Sequence, residues 1–461
     1  MREPWDVFGG CQRGGHAVRR WLLLLCMASA LLVAACGDSG DAVPNTGATG
    51  VNATTPTGPV ANGSTGAMVG DVVSVAFTRV APPGFESTTW TDIEKSAHGT
   101  TVRMFMYGGF AHVNRWMDAW VAPRLQERHG IRLERVPMDA AVFVNRLLAE
   151  KQAGRDTGTM DLLWINGENF RNAREAGLLW GPFSGALPSS ALVEAGHRDM
   201  DFGYPVEGYE SPWGSAQLVL EYDTARTPEP PRSVEELAAW IKAHPGRFTY
   251  PQPPDFTGSA FVRQLLYAVT GGHEQYMGAF DKALFDTKTP QLWAFLNDLK
   301  PYLWQEGRAY PRDAAMQDSL FARGEVDFSI SYHPVHAQAN IGEGTYPSTV
   351  RTLVLREGSI RNTHFVAIPF NAPNRAGAMV VADFLLSPEA QTAKMDPANW
   401  GDFPVLDVRR LTEDQRARLA AVDLGKATLS PEILAGAALP EIPASWLEAL
   451  EKGWQENVAG R

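Results

Sequence analysis

The sequence predicts an α/β fold built on doubly wound parallel sheets, and three observations carry that prediction. Strand-like and helix-like segments alternate from Thr101 onward in a β-α-β-α-β rhythm. The run Met160 to Ile165 is short and mostly apolar, as a strand buried on both faces requires. A second region of the same kind begins after Asp223.

Thr101 to Tyr107 reads as a strand ending in Gly108-Gly109. Val113, Met117, Trp120 and Val121 follow at helical spacing, and Gly130 closes that helix. Ile131 to Val136 is strand-like, and Asp139 is placed to cap a helix carrying Val144, Leu147, Leu148 and Lys151. After Met160–Ile165, a helix runs from Glu168 to near Gly177. The second region contains a helix from Val234 to Lys242 and a strand near Arg247 to Tyr250. A helix follows Thr257-Gly258-Ser259 and closes at Gly271-Gly272; another spans Gln291 to Trp304. Asp327 to Tyr332 reads as a strand, and Ala376 to Leu386 as a helix. Ser387-Pro388 opens the next helix, with proline in its first turn. No repeat of fixed period is present.

The N-terminal segment is read as an address. Arg13, Arg19 and Arg20 precede an uncharged run, Trp21 to Ala35, that is too short to span a bilayer comfortably. The run ends in Val33-Ala34-Ala35-Cys36-Gly37, which resembles a bacterial lipobox and implies that Cys36 is acylated and becomes the mature N-terminus. A plain signal peptide or an uncleaved anchor, with an incidental Cys36, is the alternative. From Gly37 to Gly70 the chain has no aromatic residue and no Lys or Arg, the composition of a disordered tether. The three cysteines, Cys11, Cys26 and Cys36, all lie in or at the end of the leader. The body therefore has no disulfide, thiolate metal site or thiol nucleophile. The chain carries a formal net charge of −11, and removing the four Arg, one Glu and one Asp before Cys36 takes it to −13. That balance, without a basic cluster, excludes nucleic-acid binding and electrostatic membrane binding.

Four stretches carry a family resemblance: Asp161 to Phe170, Tyr209 to Gln217, Pro254 to Phe261 and Asp327 to Tyr332. Together they resemble the extracellular solute-binding proteins of ABC importers, type II fold, nearest a thiamine-importer-like branch. The resemblance covers roughly Thr101 to the C-terminus. It implies two α/β lobes joined by crossing strands, with a ligand clamped between them. Before that region, the residues themselves read as signal peptide over 1–35, tether over 36–70 and an N-terminal extension over 71–100. Lobe one is then 101–212 with about 334–362, and lobe two 213–326 with about 366–461. The crossings fall near Trp213 to Tyr222 and Phe328 to Tyr332. A monomer that meets permease and ATPase subunits at the extracytoplasmic face of a membrane, without cofactor or metal, is the implied working state.

Open α/β sheets bind ligands at the carboxyl ends of their strands, which selects the candidate site. Tyr107 and Gly108 follow the first strand; a tight turn is the plainer reading. Asn166 and Glu168 follow the third strand and open a helix, where capping also explains them. Trp213 and Gln217 lie on the first crossing, as a ligand wall and a polar contact, or as core packing and a hinge hydrogen bond. Asp255, Thr257 and Ser259 start a helix whose free amides suit an anion, although Asp255 opposes one. Tyr332 faces the cleft in this reading, while His333 and His336 read as structural or surface histidines. No Gly-x-Ser-x-Gly elbow, His-Glu-x-x-His or P-loop occurs. A hydrolase using Glu168 and Asp255 as paired carboxylates is one alternative function, and a sensor subunit that presents its ligand to a receptor is another. Acids beside aromatics favour a cationic ligand, and the helix start favours an anionic group. A cationic or zwitterionic organic solute, thiamine-like or polyamine-like, satisfies the combination.

Overall fold

A computed structural model describes residues 81–460, within one compact unit, Ser74–Arg461. The signal peptide, the tether, Cys36 and the first part of the N-terminal extension lie outside the described residues. The rest of that extension forms α1 (Trp90–Ala97), capped by Thr89 and buried through Ile93 and Ala97.

The chain continues through β1 (Thr101–Met106), α2 (Ala111–Arg115), a π turn at Trp116–Val121, α3 (Ala122–His129), β2 (Arg132–Pro137), α4 (Ala140–Gln152), β3 (Leu162–Ile165) and α5 (Gly167–Glu175). Next come β4 (Leu179–Trp180), the short hairpin β5 (Met200–Asp201) and β6 (Tyr204–Pro205), then β7 (Glu210–Gln217) and β8 (Val219–Asp223). The second half holds α6 (Val234–Ala243), α7 (Phe256–Thr270), α8 (Lys282–Leu299), α9 (Ala314–Ala322), β9 (Phe328–Ser331), α10 (His336–Gly342) and β10 (Val350–Leu353). It ends with β11 (Ser359–Pro369), α11 (Arg375–Leu386), α12 (Pro388–Met395), α13 (Glu413–Ala420), α14 (Pro431–Ala437), β12 (Ala438–Pro440) and α15 (Ala444–Trp454).

The first sheet has the order β12-β11-β3-β1-β2, with β4 and β7 also on β11. The β3-β1-β2 portion is parallel, in the register Thr101↔Arg132 and Met104↔Leu162. Strand alternation divides its side chains between two layers. Val102, Met104 and Met106 pack with α11 on one face, while Phe105, Leu163 and Ile165 pack with Phe143, Leu147 and Phe170 on the other. The second sheet is β10-β8-β9, and both its pairings are antiparallel. Leu220, Tyr222, Phe328 and Ile330 face a core built with α6, α7, α8 and α15.

Several expectations are corrected here. The second region is not a parallel βαβ unit, because β9 and β10 flank β8 running against it. Residues 247–250 form no strand. Their backbone acceptors are taken instead by the Trp304 amide, the Gln317 side chain and the Asp327 amide, which leaves no ladder to join. The helix expected from Gln291 starts at Lys282, capped by Asp281, and carries Pro290 in its interior. Asp139 occupies the N-cap of α4 but makes no side-chain cap bond.

The crossings also differ from expectation. β9 stays within the second sheet, and the return is made by β11 instead. Ile360 at its start lies in the second lobe's core, whereas Val366 and Ile368 lie in the first lobe's core. β7 runs antiparallel to it and crosses likewise, with Trp213 in the first core and Ala216 in the second. In consequence, residues 335–350 pack with Leu320 and Phe321 beside the second sheet rather than in lobe one. Helix α11 packs on the first sheet rather than in lobe two, while α15 does belong to the second core. The pairing partners lie more than a hundred residues apart, so local patterns could not choose between β9 and β11.

Candidate functional site

Where the lobes meet, the carboxyl end of β1 and the amino end of α7 supply the accessible aromatic residues. Tyr107 is 40% exposed and edge-on to Phe110, with ring centroids 5.3 Å apart. Burial raises its phenol pKa, and Asp313 and Asp255 push it the same way against the opposing charge of Arg312. Gly108 behind it is required by space, because an added Cβ would lie 2.6 Å from the Cβ of Pro137. Across the cleft, Phe256 is 44% exposed and packs on Phe202 at 6.0 Å and Tyr332 at 5.3 Å.

The acids cluster on the same two surfaces. Asp255 is the N-cap of α7, its carboxylate accepting from the Gly258 amide at 2.9 Å. Desolvation lifts its pKa to about 6 despite that bond. Glu451 on α15 is lifted to about 7 by desolvation, with the Glu168 charge adding to the shift. Glu168, in the first turn of α5, is raised chiefly by burial, and one of its carboxylate oxygens is buried without a hydrogen bond. Glu168 of the first lobe and Glu451 of the second are thus both partly desolvated and within each other's field. Arg171 of the first lobe reaches Glu448 of the second at 3.2 Å.

Beneath them, Arg263 and Glu441 form a fully buried ion pair at 2.7 Å. Tyr332 donates to the same carboxylate at 2.7 Å, and Arg263 donates to Ser259 Oγ at 2.8 Å. Ser259 in turn donates to Glu451 at 2.7 Å. A complete network of this kind fixes the floor of the cleft.

Of the expected site residues, Tyr107 stands in the field of Asp255 and Glu168 in that of Glu451, whereas Ser259 and Tyr332 do not face a ligand: both are buried, with their hydroxyls committed to Glu451 and Glu441. Thr257 is buried in the first turn of α7. The anion site expected at that helix start is already served by the protein's own Asp255 carboxylate, so it does not call for an anionic ligand. Trp213 is no ligand wall: it is 0% exposed and packs on Trp164 and Trp400 at 5.1 and 5.0 Å. Gln217 serves the hinge, its side chain donating to Leu434 O at 2.8 Å. Asn166 is committed to Thr363 O at 2.5 Å, which ties β3 to β11.

Sequence reasoning missed Phe110, Phe256 and Glu451 at the cleft. It also missed a buried cluster in which His333, His364 and Asp402 gather around Trp164 and Trp400. His333 and His336 are both buried, which removes the surface reading. His336 lies between Glu221 at 2.8 Å and Asp318 at 3.3 Å. Burial alone would lower its pKa, but the two carboxylates outweigh it and hold it well above the ordinary value. His112 of the first lobe stands 6.2 Å from His336, ring to ring, and burial pushes its pKa down to about 3. Only the 333–336 spacing was visible in sequence; the acids come from residues 221, 318 and 402.

The geometry agrees with the comparisons to known proteins. The family described as bacterial extracellular solute-binding protein matches residues 120–421. Protein YnjB of Escherichia coli (strain K12) is 42% identical over 375 residues, spanning 80% of this chain and 93% of that protein. Among solved structures, a periplasmic thiamin binding protein superposes with a TM-score of 0.53 at 17% identity, covering 78% of this chain and 96% of that one. An ABC transporter structure from Clostridium perfringens ATCC 13124 gives 0.54 at 15% identity, with 77% and 98% covered. These likenesses confirm the two-lobe, type II fold, and this chain belongs to the bacterial extracellular solute-binding protein family.

Proposed function

We propose that this protein captures a small cationic organic solute between its lobes and delivers it to the permease and ATPase of an ABC importer. The observation that carries the reading is the pairing of accessible aromatic rings, Tyr107 and Phe256, with acids from both lobes, Asp255, Glu168 and Glu451. Aromatic faces attract a cation by about 0.5–2 kcal/mol per good contact, and the carboxylates add charge. With α7 capped internally, the zwitterionic alternative loses the group that favoured its anionic end. A thiamine-like ring cation and a polyamine are the two solute chemistries this lining suits. The protein acts by binding and release, as a monomer, and performs no chemistry on the solute.

Calorimetry with thiamine and spermidine on the parent, Asp255→Asn and Glu168→Gln tests the reading. Binding to the parent that weakens at least about tenfold in either variant, equivalent to ~1.4 kcal/mol, is expected. Equal affinity in all three proteins places the solute elsewhere.

The anchoring proposal concerns residues before the folded body. Cys36 carries a lipid that holds the body at the extracytoplasmic membrane face through the 37–70 segment. Cys36→Ser should move the protein from the membrane fraction to the soluble fraction or leave unprocessed precursor. A cleaved, membrane-bound Cys36→Ser protein contradicts lipid anchoring.

A further inference from the structure

His333, His364 and Asp402 come from three separate elements and meet at the hinge. His333 follows β9 of the second lobe, His364 sits on β11, and Asp402 follows α12. The β7–β11 register shifts between His364 and Phe365, an irregularity that occurs at the crossing itself. From these three residues we infer a binding site for a divalent first-row transition-metal ion.

The distances carry the inference. His364 Nε2 lies 3.4 Å and His333 Nδ1 3.7 Å from Asp402 Oδ1, and the three residues each offer a ligand atom within 4.8 Å of the others. Ligands 2.0–2.1 Å from a tetrahedral ion stand about 3.3 Å apart, so these atoms are close to the spacing of one face of a coordination tetrahedron. None of the three has a hydrogen-bond partner, although all three residues are buried. Buried polar atoms are ordinarily satisfied, and three unpartnered ones gathered from three elements form a donor set that suits a cation.

The surroundings supply what a metal site needs beyond its ligands. Asp402 Oδ2 is held by Lys394 Nζ at 2.6 Å, which orients the carboxylate and leaves Oδ1 toward the histidines. Gly214 makes that pairing possible, since a Cβ there would lie 2.0 Å from Oδ2. Trp400 stacks on the His364 ring at 5.8 Å and Trp164 meets it edge-on at 5.1 Å, excluding water from the site. Two imidazoles and one carboxylate suit zinc, cobalt, nickel or iron in the divalent state, and leave a coordination position open. The second cluster, Glu221, Asp318 and His336, differs in kind: the imidazole already bonds a carboxylate at 2.8 Å, and Ser329 and Tyr346 donate to Asp318.

This inference stands apart from the solute reading, because its ligands are buried at the hinge rather than exposed in the cleft. Full-length protein stripped with EDTA and dialysed is titrated with Zn2+ and Co2+, using the parent, His364→Gln, His333→Gln and the surface control His129→Gln. The expected result is a single ion per chain, a Co2+ visible spectrum of low coordination number, and affinity lowered by more than about tenfold in the two cluster variants but not in His129→Gln. Should a cluster variant fail to fold, electron paramagnetic resonance of Cu2+ bound to the parent replaces it, with coupling to two imidazole nitrogens expected. Absence of bound metal in the parent, undiminished affinity in His364→Gln, or a Cu2+ spectrum without imidazole coupling overturns the site.

Discussion

Asp255 and Glu451 titrate where the cleft would be expected to change character. Their folded values of about 6 and about 7 lie above the ordinary 3.8 and 4.5, and desolvation is the main cause in both. A raised carboxyl pKa means that the folded state binds more protons than the unfolded chain between those values. Stability from these groups is therefore fully present below about pH 4 and is lost as pH rises toward about 7. Urea melts of solute-free protein should show that decline, and the double variant Asp255→Asn, Glu451→Gln should flatten part of it. An identical pH profile in the double variant contradicts the assignment. A bound cation should reverse the trend, because it favours the ionised acids that folding alone disfavours. At this scale the helix-start positions of Asp255 and Glu168 were legible in sequence, since each follows a strand-like or proline-rich stretch. Phe256 was hidden by reading its neighbours as an anion site. Glu451 was hidden because its partner Ser259 is nearly two hundred residues away.

Elements of the first sheet were readable because burial on both faces writes a continuous apolar run, as in Leu162–Ile165. Helix starts were readable through their caps, Ser387 before α12 and Asp255 before α7. The crossings were not. β7 and β11 are buried along nearly their whole length, yet both carry many polar residues, so neither looks like a core strand in sequence. Some of their polar groups are met by tertiary partners: Gln217 donates to Leu434 O, and the Trp213 carbonyl accepts from Lys394, whose pair with Asp402 has both charges 0% exposed. Burial would raise the Asp402 pKa, but the Lys394 charge outweighs it and holds the carboxyl well below the usual range. Gly214 on β7 is where this packing is least forgiving. Gly214→Ala should cost about 1–3 kcal/mol through overpacking against the pair. The denaturant midpoint reads the cost; an unchanged midpoint shows that Asp402 and Lys394 can yield.

Among the described residues, two lobes are joined by two long buried strands, β7 and β11. That arrangement lets the lobes turn as units while β7 and β11 absorb the change. Contacts between lobes occur at the rim, including the Arg115–Glu343 and Arg171–Glu448 ion pairs, and at the aromatic contact of Phe110 with His333 at 5.5 Å. Exposed ion pairs contribute little stability, so these pairs add little to holding the lobes together. A ligand that bridges the acids of both lobes would supply the stronger hold. The measurement that tests this most directly is native mass spectrometry of protein purified without dialysis, followed by the same preparation of Asp255→Asn, Glu168→Gln. The account predicts a co-purifying small molecule bearing positive charge on the parent and its loss from the double variant. A retained neutral sugar or bare oxyanion, or a cation held equally by both proteins, would contradict capture by the acids and aromatic rings of this cleft.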